Sequence, residues 1–222
     1  MSNLLTLLNP THVVQNVKEL DAKELKAQGI TAIITDLDNT LVPWRHYDVM
    51  PGVVEWLAKL EVEGIKICIA SNTLHTARLK QLAETMNIPF VDRVQKPRRG
   101  GFLRAMHAMG SNHSNTAVFG DQIFTDVLAG NRLGLKTILL RPPLSKEEFI
   151  STQVVRIIEG AVIRRLQENG MWPAAQKVEQ ALEAIPDPRS PEGRRLSRSL
   201  LAGLLAALLG IIFVTWRRSK KR

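Results

Sequence analysis

Asp36 and Asp38 stand two residues apart, with Thr40 two further on, at the end of an apolar β-branched run over 30–34. Such a run reads as a buried central strand. Asp is a poor strand former, and an unpaired buried charge costs several kcal/mol. Something must therefore compensate the pair, and a divalent cation is the simplest candidate. A single Asp here would read as a turn or cap residue, but the Asp-x-Asp-x-Thr pattern is poorly explained that way. Asp36 can act as a nucleophile toward phosphorus, because a carboxylate can form an acyl phosphate. Asp38 can protonate the leaving oxygen and later activate water. Asp121 follows the apolar run over 116–119, and a cation shared by Asp36 and Asp121 would neutralise charge and fix a phosphoryl group. Hard oxygen ligands shared with phosphate and water suit Mg²⁺. Ser71, after the second run, offers a hydroxyl to a phosphoryl oxygen, and Lys96 offers a positive charge. A Ser after a strand is usually a cap and a loop Lys is usually solvated. Their weight here comes from their order relative to the two acidic motifs.

These residues need elements to position them. The runs over 30–35, 65–70, 89–91, 116–119 and 137–140 predict strands. A mixed helical stretch over 13–27 ends at Gly29. Pro51 opens a helix over 51–60 whose apolar stripe is Val53, Val54, Leu57 and Leu60. Further helices are predicted over 74–86, 102–109 and 126–133. Between Asp38 and the Pro51 helix, Pro43 forbids regular structure, which leaves Trp44, Arg45, His46 and Tyr47 in a loop beside the presumed site. Alternating strand and helix implies an α/β fold, with a mostly parallel sheet and helices on both faces. Sites in such sheets form beyond the carboxyl ends of the strands. Asp36, Asp38, Ser71 and Asp121 all fall at those ends.

The chain has 222 residues, enough for one α/β domain and an appendage. Its single cysteine, Cys68, excludes a disulfide framework or a cysteine-rich metal site and suggests a reducing compartment. The formal charge of +9 does not imply a nucleic-acid partner. Beyond residue 188 there are nine Lys/Arg and one acid, Glu192, a balance of +8 that leaves +1 for the rest. A nucleic-acid binder should carry its basic charge on the folded domain. Here that charge flanks an apolar run, which points to a membrane surface. Residues 200–216 carry no charge, and with Leu196 and Arg198 the span reaches 196–216. Trp216 suits an interfacial anchor. The flanking Lys/Arg are nearly balanced, so they set no orientation; the absence of a basic leader favours a cytoplasmic catalytic domain. The expected layout is a catalytic domain over 1–170, a helix and Pro-rich linker over 171–195, a membrane helix over 196–216 and a basic tail over 217–222. Two readings stay open for Leu4, Leu5, Leu7 and Leu8: a short interfacial segment, or a segment packed on the domain. Two stay open for the helical stretch over 150–166 with Arg156, Arg164 and Arg165: a packed surface helix, or a basic amphipathic helix on a bilayer.

Taken together, Asp36-Leu37-Asp38-Asn39-Thr40, Ser71 after 67–70, Lys96 and Gly120-Asp121-Gln122-Ile123-Phe124-Thr125-Asp126 resemble the four motifs of the haloacid dehalogenase (HAD) superfamily of phosphohydrolases, in the family's order. With Ser71-Asn72 and Lys96-Pro97 included, the chain is more closely similar to subfamily IIIA, the YqeG-type group related to phosphatidylglycerophosphate phosphatases. The resemblance covers about residues 4–168 and excludes the tail. It implies a HAD-like Rossmannoid fold, Asp36 as nucleophile and Asp38 as acid/base. It further implies Mg²⁺ on Asp36, Asp121 and the main-chain carbonyl of Asp38. Ser71, Asn72 and Lys96 would hold the phosphoryl group, and Asp126 would support the metal or Lys96 from behind.

The gaps from Asp38 to Ser71 and from Ser71 to Asp121 are filled by core elements, so no sizeable cap domain fits. An open site suits a phosphate on something large. The expected reaction is Mg²⁺-dependent dephosphorylation of phosphatidylglycerophosphate, an anionic phospholipid at a membrane, with Arg98 and Arg99 beside Lys96 as candidate contacts for its second phosphate. Alternatives are a phosphatase for a protein or nucleic-acid end, and a membrane-tethered binding module without catalysis.

Overall fold

The Asp-Leu-Asp segment leaves the middle of a six-stranded sheet. In the computed structural model, which describes residues 2–73, 75–145 and 150–173, strand β2 (Ala32–Thr35) is buried along its whole length. Both its faces are covered, which is why its sequence is a continuous apolar run rather than an alternating one. Ile33 packs in a cluster with Trp56, Leu60, Leu79 and Phe119. Ile34 faces the other way, into a cluster with Cys68, Phe102, Met106 and Val118.

The strands β1 (His12–Val14), β3 (Lys66–Ala70), β4 (Phe90–Val91), β5 (Thr116–Gly120) and β6 (Lys136–Leu140) complete the sheet in the order β1-β6-β5-β2-β3-β4. Every pairing is parallel. Thr35 is level with Ile69 of β3 and with Phe119 of β5. Three strand ends therefore stop at one height, and the residues that follow them share one edge.

The helices are α1 (Ser2–Leu8), α2 (Ala22–Ala27), α3 (Pro51–Val62), α4 (Thr76–Met86), α5 (Gly100–Met109), α6 (Leu128–Asn131) and α7 (Ile150–Glu168). Pro51 opens α3 as its sequence predicts. The helix is locked down by Trp56, whose Nε1 donates to Leu20 O at 3.1 Å and whose ring meets Phe119 edge-on at 5.6 Å. The connections from β2 to β3 and from β3 to β5 contain only core elements, and no cap domain is inserted in the described residues.

The predicted helical stretch over 13–27 is corrected. Val13 and Val14 pair with Leu139 and Leu140 as an edge strand. A 3₁₀ turn, Val17–Glu19, follows, and helix begins only at α2, where Asp21 accepts from the amides of Lys23 and Glu24. An open parallel edge at β6 rewards a β-branched pair more than a helix would. The predicted helix over 126–133 begins instead as a π turn, Ile123–Val127, before α6.

The leucines of α1 turn partly inward. Leu8 is buried while Leu4 is exposed, and Asn131 Nδ2 donates to the carbonyls of Leu7 and Asn9 at 2.9 Å each. Helix α7 packs on the domain through Glu159, Ile163 and Leu166. Among the described residues no helix is long and apolar enough to cross a membrane. The expected membrane helix over 196–216 and the basic tail lie outside the described residues, as does most of the helix and linker expected over 171–195.

Candidate active site

Asp36 is the first residue beyond β2, and its amide donates to Phe119 O at 2.9 Å. One carboxylate oxygen accepts from Lys96 Nζ at 2.5 Å. The same Nζ donates to Asp126 Oδ1 at 2.7 Å. Lys96 reaches this position because Asn72 grips its main chain on both sides. Its amide donates to Asn72 Oδ1 at 2.8 Å, and its carbonyl accepts from Asn72 Nδ2 at 3.4 Å. Ser71 is buried at the end of β3, and its Oγ accepts from the Thr73 amide at 3.1 Å.

Asp121 follows β5 and is held at both oxygens. Thr40 Oγ1 donates to Oδ1 at 3.3 Å, so the first acidic motif is tied directly to the fourth. Arg156, from α7, donates to Oδ2 and also to the Asp121 carbonyl. Glu159, one turn further along α7, accepts from Arg156 and Arg141 and from the Ile123 amide. Asp126 lies inside the π turn, a form that is rare and concentrated at functional sites. It sits against Gly120 so closely that a Cβ there would fall 2.3 Å from its carboxyl carbon. Only glycine allows that approach.

Asp38 points elsewhere. Its Oδ1 accepts from Arg78 NH1 at 2.8 Å, and Arg78 also donates twice to His46 O, at 3.0 and 2.6 Å. The nucleophile candidate is thus set among the clustered acids Asp121 and Asp126, while the acid/base candidate is held apart by a buried arginine.

Burial raises the pKa of Asp36 to about 8, against the lowering effect of Lys96 and with a further push from Asp126 and Asp121. Burial also raises Asp38, with Arg78 opposing, and Asp126, with Lys96 opposing. For Lys96, burial favours the neutral amine, but Asp126 and Asp36 outweigh it and raise the pKa. Glu159 is raised by burial against Arg141 and Arg156. With all four acids ionised, Asp36, Asp38, Asp121 and Asp126 exceed the three cations Lys96, Arg78 and Arg156 by one negative charge; without a bound cation, Asp36 removes that excess by keeping its proton near neutral pH. One oxygen from each of Asp36, Asp121 and Asp126 lies within 4.8 Å of the other two. Three hard oxygen donors with surplus negative charge fit a divalent cation.

Asp36, Asp38, Ser71, Asn72 and Lys96 line one cleft of about 380 Å³, together with Asn39, Trp44, Arg45, Thr73, His75, Arg78, Gln122, Thr125 and Thr152. Arg98 and Arg99 are exposed and are not among its walls; Arg98 bonds Gln95 at 2.8 Å instead. A larger groove of about 660 Å³ at the start of β3 is mostly apolar, with Glu61 and Lys66 its only charged lining residues, so it offers no comparable chemistry. Sequence reasoning did not find Arg78, Arg156, Glu159 or Thr152. Arg78 carried a weak signal, since it falls in the first turn of the helix that follows Ser71. Arg156 carried none, as it lies 35 residues beyond its partner.

The fold and these motifs define a class. The chain matches the haloacid dehalogenase-like hydrolase family over residues 9–134 and belongs to it. It is 38% identical over 161 residues to the probable phosphatase YqeG of Bacillus subtilis, a match covering 72% of this chain and 92% of that one. It is 28% identical over 169 residues to phosphatidylglycerophosphate phosphatase 1 of Arabidopsis thaliana, covering 72% of this chain and 48% of the relative. A solved Listeria monocytogenes structure is 21% identical with a TM-score of 0.45, covering 55% of this chain and 85% of that one.

Proposed function

We propose that this chain is a Mg²⁺-dependent phosphomonoesterase that works through a phosphorylated Asp36, and that its substrate is phosphatidylglycerophosphate. The observation that carries the chemistry is the separation of roles: Asp36 beside Lys96, Asp121 and Asp126, and Asp38 turned onto Arg78. Asp36 attacks phosphorus as the bond to the leaving oxygen breaks, and Asp38 delivers the proton to that oxygen. In the second half, Asp38 takes a proton from water as the water attacks the phosphoryl group on Asp36, which frees phosphate and restores the carboxylate. Lys96 and the Ser71 hydroxyl donate to the phosphoryl oxygens as negative charge grows. Asp36 and Asp121, with Asp126 adjoining, would hold Mg²⁺, which would supply neutralising charge to the phosphoryl group and favour the ionised form of Asp36.

Three features support the lipid substrate. The Arabidopsis and Chlamydomonas relatives carry that activity in their names. Among the described residues no cap domain is inserted over the cleft. The basic excess of the sequence lies around its uncharged run over 200–216. We place the chain at a membrane, tethered through 196–216, with the catalytic domain on the cytoplasmic side. The test is phosphate release from vesicles containing phosphatidylglycerophosphate, with Mg²⁺ and with EDTA, beside phosphopeptides and 5′-phosphorylated oligonucleotides. Release should need Mg²⁺, favour the lipid and vanish in Asp36→Asn. Faster release from peptides or oligonucleotides would remove the lipid assignment, and turnover by Asp36→Asn would remove the mechanism.

A further inference from the structure

Beside Asp38, the cleft wall is built by the loop after Val42, and that loop is held by several hydrogen bonds. Val42 is fully buried. The Asn39 amide donates to Val42 O at 2.7 Å, and Asn39 Oδ1 accepts from the Trp44 amide at 3.0 Å. The His46 amide donates to Pro43 O at 3.0 Å, while the His46 carbonyl is clamped by Arg78. Between these anchors Arg45 is forced to a φ of +63°, a left-handed conformation that residues other than glycine seldom adopt. Strain kept in place by its surroundings concentrates at ligand sites. The strained residue here presents a cation to the cleft. The Arg45 guanidinium carbon lies 4.3 Å from the Trp44 ring centroid, and both residues line the cleft. Stacking engages the face of a guanidinium, while its N–H donors lie in its plane, the geometry that suits a phosphate.

We propose that Arg45, set on Trp44, is the specificity residue of this cleft and binds a second phosphate of the substrate, a few bonds from the phosphomonoester that meets Asp36 and Lys96. This rests on the substrate reading above, a phosphomonoester joined through a short polyol to a phosphodiester, and deepens it by naming the residue that recognises the phosphodiester. A cleft of about 380 Å³ has room for such a doubly charged headgroup and leaves any acyl chains outside. The role falls to Arg45, which is exposed like Arg98 and Arg99 but lines the cleft, as those two do not.

The test compares kcat/KM for a soluble bis-phosphate, deacylated phosphatidylglycerophosphate, with kcat/KM for phenyl phosphate, using the full chain with Mg²⁺. The wild-type ratio should be high. It should fall about tenfold or more, mainly through KM, in Arg45→Ala and equally in Arg45→Gly, which relieves the backbone strain. The Arg98→Ala/Arg99→Ala double variant should keep the wild-type ratio. The intact lipid in vesicles should show the same loss for Arg45→Ala, because the contact is with phosphate. A high wild-type ratio that survives Arg45→Ala, or one lost in the Arg98/Arg99 variant, overturns this inference alone. A loss confined to vesicles overturns it too, since Arg45 would then be meeting the membrane surface. A wild-type ratio near one overturns the bis-phosphate substrate reading itself.

Discussion

Lys96→Met removes the one cation that two of the site's acids share. Lys96 Nζ donates to Asp36 at 2.5 Å and to Asp126 at 2.7 Å, and its side chain is 3% exposed. Each charge-assisted hydrogen bond contributes about 1.5–3 kcal/mol. Breaking a buried pair so that a carboxylate is left unpaired costs about 3–5 kcal/mol. Part of that cost is escaped at neutral pH, because an orphaned acid takes a proton, and Asp36 already titrates near 8. The expected loss is therefore at the low end, about 3 kcal/mol. Adding Asp126→Asn to Lys96→Met replaces one orphaned carboxylate with a neutral amide. The double variant should then be more stable than the sum of the single effects predicts by about 1–2 kcal/mol, a coupling ordinary for contacting residues. The assay is urea unfolding of the four proteins at pH 7 in EDTA. Turnover in Mg²⁺ should fall at least about 10²-fold in Lys96→Met, as for other donors aimed at developing charge. A stability loss below about 1 kcal/mol with additive single effects would show that Lys96 does not hold these two carboxylates, and the reading of the site would fail with it.

Two further outcomes are expected. Asp36 has a folded pKa near 8 against an ordinary value of 3.8, so the folded state keeps a proton that the unfolded chain releases. That contribution to stability is complete below about pH 4 and lost as the pH rises to about 8. Metal-free protein should unfold at less urea at pH 8 than at pH 5.5, and saturating Mg²⁺ should flatten or reverse that slope; equal midpoints in EDTA would refute the electrostatics. Gly120→Ala places a methyl 2.3 Å from the Asp126 carboxyl carbon, which must move and take its contact with Lys96 along. The expected result is a loss of about 1–3 kcal/mol in thermal unfolding and a turnover drop of at least about 10²-fold, and wild-type turnover would rule out the close approach as a requirement.

The parts of this molecule readable in advance are those where one residue type does one thing locally. The run before Asp36 could only be a strand buried on both faces, and Ile33 and Ile34 do face opposite clusters. The alignment of Asp36, Ser71 and Asp121 at one edge followed from alternating strand and helix. Where the sequence misled, a distant partner decided. Val13 and Val14 sit in a stretch with helical propensity, and only the open edge of β6 makes them a strand. Arg78 reaches Asp38 because its helix begins at the same edge, a fact of register that local spacing does not encode, whereas the place of Arg45 beside the site was legible from Pro43.

Arg156 and Glu159 give the chain a longer working core than its motifs suggest. The family match stops at residue 134, and the last acidic motif at 126. Yet Asp121 leans on Arg156, and Glu159 braces both that arginine and the first amide of the π turn. A chain trimmed just after β6 would keep every motif residue and lose the keystone that holds the fourth motif in place. Any piece that keeps these contacts has to run through α7.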